Sequence, residues 1–521
     1  MRGAIGAGHP LTAEAGARVL AEGGNAVDAC VAAAFASWVA ESPLTGPGAG
    51  GFALVHSADG RPDRIADFFV ATPGRGLDER DGADMHAVDV GFGGEATQVF
   101  HIGEPSCAVP GATAGLEALH RAYGLLPWPE LLRPAIELAC GGVELTRQQA
   151  HLHAILDLIL RHGDEGRRIY SRPDGSRLVA GDVLRLPDLA GTLERIAAEG
   201  AAAIARGELA TVIAQTVADG GGQLGLDDLR RYRVRWRSPV RIRYRGYEVL
   251  SNPPPSSGGV LILYGLALLE RLADGAAGTP RAVAALVEVM REQTRARDAR
   301  FLSGLTRGGL ARRLLGEVSL AAALERISSR APGLVEHAPF GGTTHISVVD
   351  AAGNAAALSS STGSGSGVVV PGTGIHLNNM FGEYDLAAGG SATPGGRLTS
   401  MMAPTLVLGE RGPRLVVGSA GSVRLRGAIM QTIVNVVEHG LPVAEAIDRP
   451  RVHLDEPHVH CEGGFDTATL DELEALGYDV VRWRRRNLFF GGTNAVELLP
   501  GGSLAAAGDV RRGGAGIVVG V

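Results

Sequence analysis

A threonine behind two glycines is the strongest sign of chemistry in this 521-residue chain. Gly341-Gly342-Thr343 leads directly into residues 344–350, whose alternating pattern predicts a strand. If the Gly342–Thr343 bond is cut, Thr343 becomes a new N-terminus with a hydroxyl nucleophile and a free α-amine that can act as its base. The same residues also fit a glycine turn before an ordinary strand, so other motifs must decide between the two readings.

Composition and charge narrow the classes of function. The net charge is -7, the isoelectric point is near 6.1 and 45% of the residues are hydrophobic, which is typical of a globular protein with a sizeable core. This charge argues against nucleic-acid or anionic-membrane binding, so we expect a small molecule or a peptide as partner. All 49 basic residues are arginine, which excludes a phosphate-loop lysine, a Schiff base and a Ser–Lys dyad.

The cysteines and histidines give no sign of a metal or redox centre. The four cysteines lie far apart and form no CxxC pair, so neither a disulfide framework nor a zinc knuckle is expected. His453, His458, His460 and Cys461 alternate along a strand pattern without supporting carboxylates, which disfavours a metal site. No cofactor is predicted. No signal peptide is visible, so a cytoplasmic location is expected, or a periplasmic or secreted one if the N-terminus was trimmed.

The order of predicted elements indicates one α+β domain. Residues 11–21 have helical spacing, and Asn25 is a natural N-cap for a second helix that runs towards Trp38. Residues 108–218 are mainly helical, residues 331–342 resemble an exposed linker, and the chain beyond Thr343 is rich in short strands. Because strands are predicted on both sides of Thr343, we expect a single interleaved domain.

Several further motifs share one characteristic order and spacing. They are Gly23-Gly24-Asn25-Ala26-Val27-Asp28, Pro254-Pro255-Ser256-Ser257-Gly258-Gly259, Thr343-Thr344-His345, Leu377-Asn378-Asn379, Ala403-Pro404-Thr405, Gly418-Ser419-Ala420-Gly421 and Asp509-Val510-Arg511-Arg512. With them the chain resembles the γ-glutamyltransferase (γ-glutamyltranspeptidase) family of N-terminal-nucleophile hydrolases over nearly its whole length. The resemblance implies a four-layer αββα sandwich and autocatalytic cleavage into a large subunit, 1–342, and a small subunit, 343–521, that stay associated.

The resemblance also implies which groups perform the reaction. Thr343 would attack an amide carbonyl and form an acyl-enzyme that water or an amine resolves. Ser361 stands where the family has a second hydroxyl bonded to the nucleophile, and Gly421 and Ser422 match the backbone donors of its oxyanion hole. No metal or cofactor is implied.

The residues that would hold a γ-glutamyl group depart from the family's pattern. The stretch 67–73, which includes Phe69, lacks the arginine that binds the glutamyl carboxylate, and the family's paired serines are Ser400-Met401 here. On the amine-binding side, Asn379 is kept, while Glu383 either takes over an amine contact or is a solvated turn residue. We therefore expect poor use of glutathione. Phe69 and its neighbours form either an apolar acyl pocket or part of the core.

Two further features bear on specificity. Residues 384–397 are fewer than in the family's lid-bearing connection, and an open pocket would favour hydrolysis over transfer. Arg424 and Arg426 follow the oxyanion turn and either supply a replacement anion site or, as the favoured reading, lie on the surface.

Three hypotheses follow. The first is an autoprocessing, γ-glutamyltransferase-like amide hydrolase with a threonine nucleophile. The second is a specialised member of the same family: an oxamate-type small-amide hydrolase, an acylase for bulky acyl groups or an enzyme of secondary metabolism. The third, from another class, is a scaffold that is never cut and in which Thr343 is an ordinary strand residue.

Overall fold

The computed structural model describes residues 2–77, 83–91, 97–272, 275–329, 342–383 and 393–520. The predicted linker at 331–342 lies outside these ranges except for Gly342, which begins a strand. The strands in chain order are β1 (Gly3–Ala7), β2 (Gly50–His56), β3 (Arg64–Phe68), β4 (His86–Gly91), β5 (Thr97–Ile102), β6 (Val143–Glu144), β7 (Val183–Leu184), β8 (Arg235–Arg237), β9 (Val240–Tyr244), β10 (Tyr247–Ser251), β11 (Gly342–Asp350), β12 (Ala355–Gly363), β13 (Val369–Val370), β14 (Ile375–His376), β15 (Thr405–Gly409), β16 (Gly412–Ala420), β17 (Val452–Asp455), β18 (His458–Cys461), β19 (Asp479–Arg482), β20 (Gly492–Leu498), β21 (Leu504–Ala507) and β22 (Ala515–Val519).

The helices occupy three main regions: before β2, between β5 and β11, and after β16. In chain order they are α1 (Pro10–Ala21), α2 (Ala26–Ala40), α3 (Ala112–Tyr123), α4 (Trp128–Gly141), α5 (Arg147–Ile155), α6 (Asp157–Leu160), α7 (Asp164–Tyr170), α8 (Pro187–Glu199), α9 (Ala202–Ala205), α10 (Gly207–Asp219), α11 (Leu226–Arg231), α12 (Gly258–Leu269), α13 (Pro280–Arg295), α14 (Ala299–Arg307), α15 (Leu310–Leu314), α16 (Glu317–Ser329), α17 (Leu425–Val437), α18 (Val443–Asp448) and α19 (Thr467–Ala475). The mixture of helix and sheet agrees with the predicted α+β class.

Two sheets carry the strands around residue 343. The larger has the order β22-β1-β11-β12-β2-β3-β8, and the smaller has the order β21-β20-β16-β15-β10-β9. In the larger sheet β11 pairs antiparallel with β1, with Val348 opposite Ile5, and β12 pairs antiparallel with β2, with Leu358 opposite Ala53. Strands from before and after Thr343 are therefore neighbours in one sheet.

The apolar residues separate into three clusters. One contains Phe52 and Leu54 of the larger sheet together with Leu406 and Val416 of the smaller sheet, so it fills the space between the two sheets. A second joins helices α1 to α4 to the other face of the larger sheet, and a third joins α12, α13 and α17 to the smaller sheet. This burial fixes the two sheets against each other.

Helix α2 forms as predicted and leads towards the site. The side chain of Asn25 accepts hydrogen bonds from the backbone N–H groups of Val27 and Asp28 at 2.9 Å, and Asp28 accepts one from the Asn25 N–H at 3.1 Å. This capping box starts the helix. Every residue of α2 is buried, and Glu41 follows its last turn inside the protein.

Candidate active site

Thr343 lies at an irregular point where β11 meets β12. Gly342 pairs with Gly363 and Thr344 pairs with Ser360, so Ser361 and the residue after it stand opposite the single residue Thr343. Such a bulge bends the strand and redirects side chains. Thr343 is only 4% exposed, and a side chain on Gly342 would bring a Cβ within 2.5 Å of the Gly363 carbonyl oxygen. Glycine is therefore required before Thr343.

The hydroxyl of Ser361 bonds to the peptide bond that precedes Thr343. It donates a short hydrogen bond to the carbonyl oxygen of Gly342, and it accepts one from the Gly363 N–H at 2.9 Å. The family resemblance predicts that the Ser361 hydroxyl bonds to the nucleophile. In the uncut chain this hydroxyl bonds to the carbonyl of Gly342, which is attached to the nitrogen of Thr343. A donor at that position polarises the carbonyl towards attack.

Thr344, the next residue of the strand, is hydrogen-bonded to a buried carboxylate that was not predicted from the sequence. Glu41 accepts hydrogen bonds from the hydroxyls of Thr344, at 2.6 Å, and Thr12, at 2.8 Å. Burial raises the pKa of Glu41, partly opposed by these hydrogen bonds and by the charge of Arg512. The only hint in the sequence was a single acid directly after an apolar helix. Thr343, Thr344, Glu41 and Arg512 line a cavity of about 40 Å³.

The turn after β16 holds two successive residues at positive φ. Gly421 has φ 124°, and Ser422, which is not a glycine, has φ 53°. Holding serine in this region costs about 1–3 kcal/mol, and such strain persists mainly at functional sites. The turn starts a short 3₁₀ segment, Ser422–Arg424, that leads into α17.

A second small cavity joins several of the predicted substrate-binding residues. Glu383, Ser400, Met401 and Ser422 line it, and Arg297, which the sequence analysis did not single out, contributes to its wall. Its volume is about 20 Å³. The structure thus brings one predicted oxyanion residue together with three predicted substrate residues.

Glu383 occupies the space that Gly363 leaves open. A Cβ at Gly363 would lie 2.6 Å from the Glu383 Oε1 and would collide with the side-chain oxygen of Asn379. Because Gly363 also donates to Ser361, the carboxylate of Glu383 lies near the end of β12 that faces Thr343.

The side chains of Asn379 and Phe69 contact other groups of the protein. The Asn379 side-chain oxygen accepts from the Ser364 N–H at 2.9 Å, and its amide nitrogen donates to the Ser364 hydroxyl at 2.6 Å. Phe69 is fully buried between the sheets and stacks on Phe52 with ring centres 5.4 Å apart. Phe69 therefore belongs to the core and lines neither of the two cavities described above.

Arginines do reach the stretch that lacks one in sequence. The buried carboxylate of Asp67 accepts from Arg397 at 2.9 Å and from Arg237 at 2.7 Å. Their chain separation, 330 residues for Arg397, hid this arrangement from the sequence analysis.

The expectation that Arg424 and Arg426 lie on the surface was wrong. Both are buried, with exposures of 6% and 4%. The Arg424 guanidinium lies 4.0 Å from the ring centre of Phe489, and Arg426 donates to the hydroxyl of Thr294 at 2.8 Å. Burial lowers the pKa of Arg424 to about 10. The aromatic contact compensates part of its lost hydration.

The described ranges show neither a cluster of metal ligands nor a helix that could cross a membrane. Within them, no three His, Cys, Asp or Glu side chains converge as metal ligands would. Among the helices of the same ranges, none combines the length and apolar character needed to cross a bilayer.

Comparison with known proteins gives one consistent result. The sequence profile described as gamma-glutamyltranspeptidase matches residues 12–519. The chain is 33% identical to the acylase ACY 1 proenzyme of Pseudomonas sp. (strain V22), over 99% of this chain and 94% of that protein. It is 31% identical to the glutathione hydrolase proenzyme of Escherichia coli (strain K12), over 98% and 90% respectively.

A solved structure shares the fold along almost the entire chain. The cephalosporin acylase from Bacillus halodurans superposes with a TM-score of 0.84 at 26% sequence identity. The match covers 99% of this chain and 95% of that one. Fold and sequence comparisons thus point in the same direction.

Proposed function

Because the chain belongs to the γ-glutamyltranspeptidase family, we propose that it is made as a precursor that cuts its own Gly342–Thr343 bond and then uses Thr343 as nucleophile. The chain is a γ-glutamyltranspeptidase-like enzyme that hydrolyses an amide or transfers its acyl group.

The observation that carries the proposal is the hydrogen bond from Ser361 to the Gly342 carbonyl. In the cleavage step the Thr343 hydroxyl oxygen attacks this carbonyl carbon, and its proton passes to the nitrogen of Thr343 as the C–N bond breaks. An ester replaces the amide. Water then splits the ester, which leaves a carboxylate on Gly342 and restores the hydroxyl on Thr343. Ser361 stabilises the negative charge that develops on the carbonyl oxygen.

The cut chain has the groups for turnover. The new α-amine of Thr343 takes the proton from the Thr343 hydroxyl, and the hydroxyl oxygen attacks the substrate carbonyl. The leaving amine then departs with a proton. The backbone N–H groups of Gly421 and Ser422 stabilise the oxyanion. Once the Gly342 carbonyl has left, the Ser361 hydroxyl is available to bond to Thr343, which is the role that the sequence assigned to it.

The pieces 1–342 and 343–521 remain together in one four-layer αββα sandwich. Support comes from the pairing of β11 with β1 and of β12 with β2, which joins the two pieces in a single sheet. The three apolar clusters, one between the sheets and one on each outer side, fit the same layering. Separation of the pieces would expose all three clusters to water.

The proposed substrate is an acyl amide other than glutathione, with hydrolysis favoured over transfer. The stretch 67–73 supplies no arginine that could bind a glutamyl carboxylate, and Met401 replaces one of the assisting serines. Each charge-assisted hydrogen bond lost costs about 1.5–3 kcal/mol. Acylases are among the similar proteins, which favours this choice. Glu383 would bind an ammonium group carried by the acyl part.

Initial rates with chromogenic anilides test the substrate assignment. We expect weak release from γ-glutamyl-p-nitroanilide and faster release from anilides whose acyl chains are longer or lack the α-carboxylate. Turnover of the γ-glutamyl anilide equal to that of an efficient transpeptidase, measured side by side, would overturn the assignment. The Thr343→Ala variant serves as the blank for both.

A further inference from the structure

Four arginines line a cavity beside the candidate active site. Arg75, Arg235, Arg237 and Arg397 surround a space of about 550 Å³, which we call the arginine cavity. The remaining wall consists of prolines, Leu305 and the 393–396 segment. This volume is large enough for part of a substrate, and none of these arginines has a role in the chemistry described above.

The arginine cavity has more positive than negative charge. Asp67 pairs with Arg237 and Arg397 at 2.7 and 2.9 Å, and Asp228 lies 4.0 Å from Arg75. In the described part of the chain, two carboxylates thus face four guanidinium groups. Partial loss of hydration, followed by the positive charges of Arg397 and Arg237, lowers the pKa of Arg235. The surplus charge attracts an anion.

Two of the guanidinium groups, those of Arg397 and Arg75, are held in place by the protein. Arg397 donates to Asp67 and also to the backbone carbonyls of Asp67, at 3.0 Å, and Arg233, at 2.7 Å, while it lies 4.6 Å from the ring centre of Tyr232. Arg75 packs directly on Gly395, where any side chain would collide with its guanidinium. Fixed donors lose little entropy when a ligand binds.

The arginine cavity and the cavity around Ser400 and Ser422 share the same three chain segments. Pro254 and Pro255 line one and Ser257 lines the other, and residues 393–397 of the first continue into residues 399–401 of the second. Leu305 lines both. A ligand that extends from the predicted oxyanion turn therefore has the arginines within reach.

We propose that the arginine cavity binds an oxyanion group, a carboxylate or a phosphate, that the substrate carries at a distance from its reacting amide. The planar guanidinium matches both anions through paired hydrogen bonds. The assignment to substrate rests on the proposed amide hydrolysis, whereas the binding of an oxyanion does not. In the arginine cavity, a negatively charged substituent would bind away from the carboxylate of Glu383.

Calorimetric titration of the purified protein with inorganic phosphate and with glutarate tests the site without turnover. Arg235→Gln is the main variant, because Arg235 is exposed and no carboxylate in the described ranges forms an ion pair with it. Arg243→Gln, at a strand residue of β9 that is also exposed, is the matched control. We expect binding of at least one probe, at least tenfold weaker in Arg235→Gln and unchanged in Arg243→Gln. The tighter probe identifies the anion class. No binding of either probe, or equal affinity in Arg235→Gln, overturns the proposal.

A kinetic comparison then tests the link to substrate. With paired anilides that differ only in a distal carboxylate, Arg235→Gln should raise KM at least tenfold for the charged member and leave the neutral member unchanged. Anion binding without this KM effect would overturn the assignment to substrate. An uncut, inactive protein would instead refute the proposed hydrolysis, and the titration would still decide whether the arginines bind an oxyanion.

Discussion

The hydroxyl of Ser361 donates a hydrogen bond to the carbonyl oxygen of Gly342, the carbonyl of the peptide bond that joins Gly342 to Thr343. Removing a comparable oxyanion donor slows acyl chemistry by about 10²–10³-fold. We expect Ser361→Ala to slow precursor cleavage by a similar factor, as followed by denaturing electrophoresis after a pulse of expression. Ser361→Thr keeps the hydroxyl and should cleave at close to the original rate. Equal rates for Ser361→Ala and the parent chain would show that this bond is not used.

Glu383 provides a second prediction, on specificity. Replacement of its carboxylate in Glu383→Gln removes a charge-assisted contact of about 1.5–3 kcal/mol. KM for an anilide with an α-amino acyl group should therefore rise by about 10–100-fold, while KM for the same anilide without the amine should stay within twofold. Steady-state kinetics on both compounds measures this difference. A parallel rise for the two compounds would mean that Glu383 acts on the shape of the cavity and binds no ammonium.

The buried carboxylate of Asp67 provides a prediction on stability. Asp67→Asn leaves Arg397, whose side chain is 4% exposed, without its ionic partner. Breaking a buried ion pair in this way typically costs about 3–5 kcal/mol. The free energy of unfolding in urea should fall by that amount. Asp59→Asn breaks an exposed, solvent-screened pair with Arg61 and should leave the free energy of unfolding nearly unchanged. Similar losses in both variants would contradict the assignment.

His376 predicts a dependence of stability on pH. Burial lowers its pKa from 6.5 to about 4, and its Nε2 accepts a hydrogen bond from the Gly367 N–H at 3.1 Å. Below pH 6.5 the unfolded chain binds a proton that the folded chain does not, so stability falls as the pH decreases towards 4. This group alone contributes about 3 kcal/mol over that window.

The variant that tests this prediction, His376→Gln, removes the titrating imidazole. In urea unfolding between pH 7 and 4, His376→Gln should show a shallower loss of stability than the parent chain. His151→Gln, a change at an exposed histidine, should keep the parent's slope. Parallel pH profiles for all three proteins would contradict the prediction.

The sequence predicted local structure well because local rules determine it. The N-cap at Asn25, the helix after it and the strand that follows Thr343 depend on neighbours within a few residues, and all three were confirmed. Glycine is needed before Thr343 because a side chain there would collide with a carbonyl oxygen of β12. In the sequence, only the motif indicated this requirement.

Contacts over long chain separations were harder to predict. The burial of Arg424 depends on Phe489, 65 positions away, and the arginines around Asp67 come from two other segments. Phe69 gave no signal that separated a pocket from a core, since an aromatic residue suits both. Such questions require the packed structure.

The mass and N-terminal sequence of the purified protein's chains test the central claim most directly. We expect two chains, one of which begins at Thr343, and a single uncut chain in Thr343→Ala. A single full-length chain that persists for days while hydrolysing an amide, or a Thr343→Ala variant cut at the same bond, would contradict it.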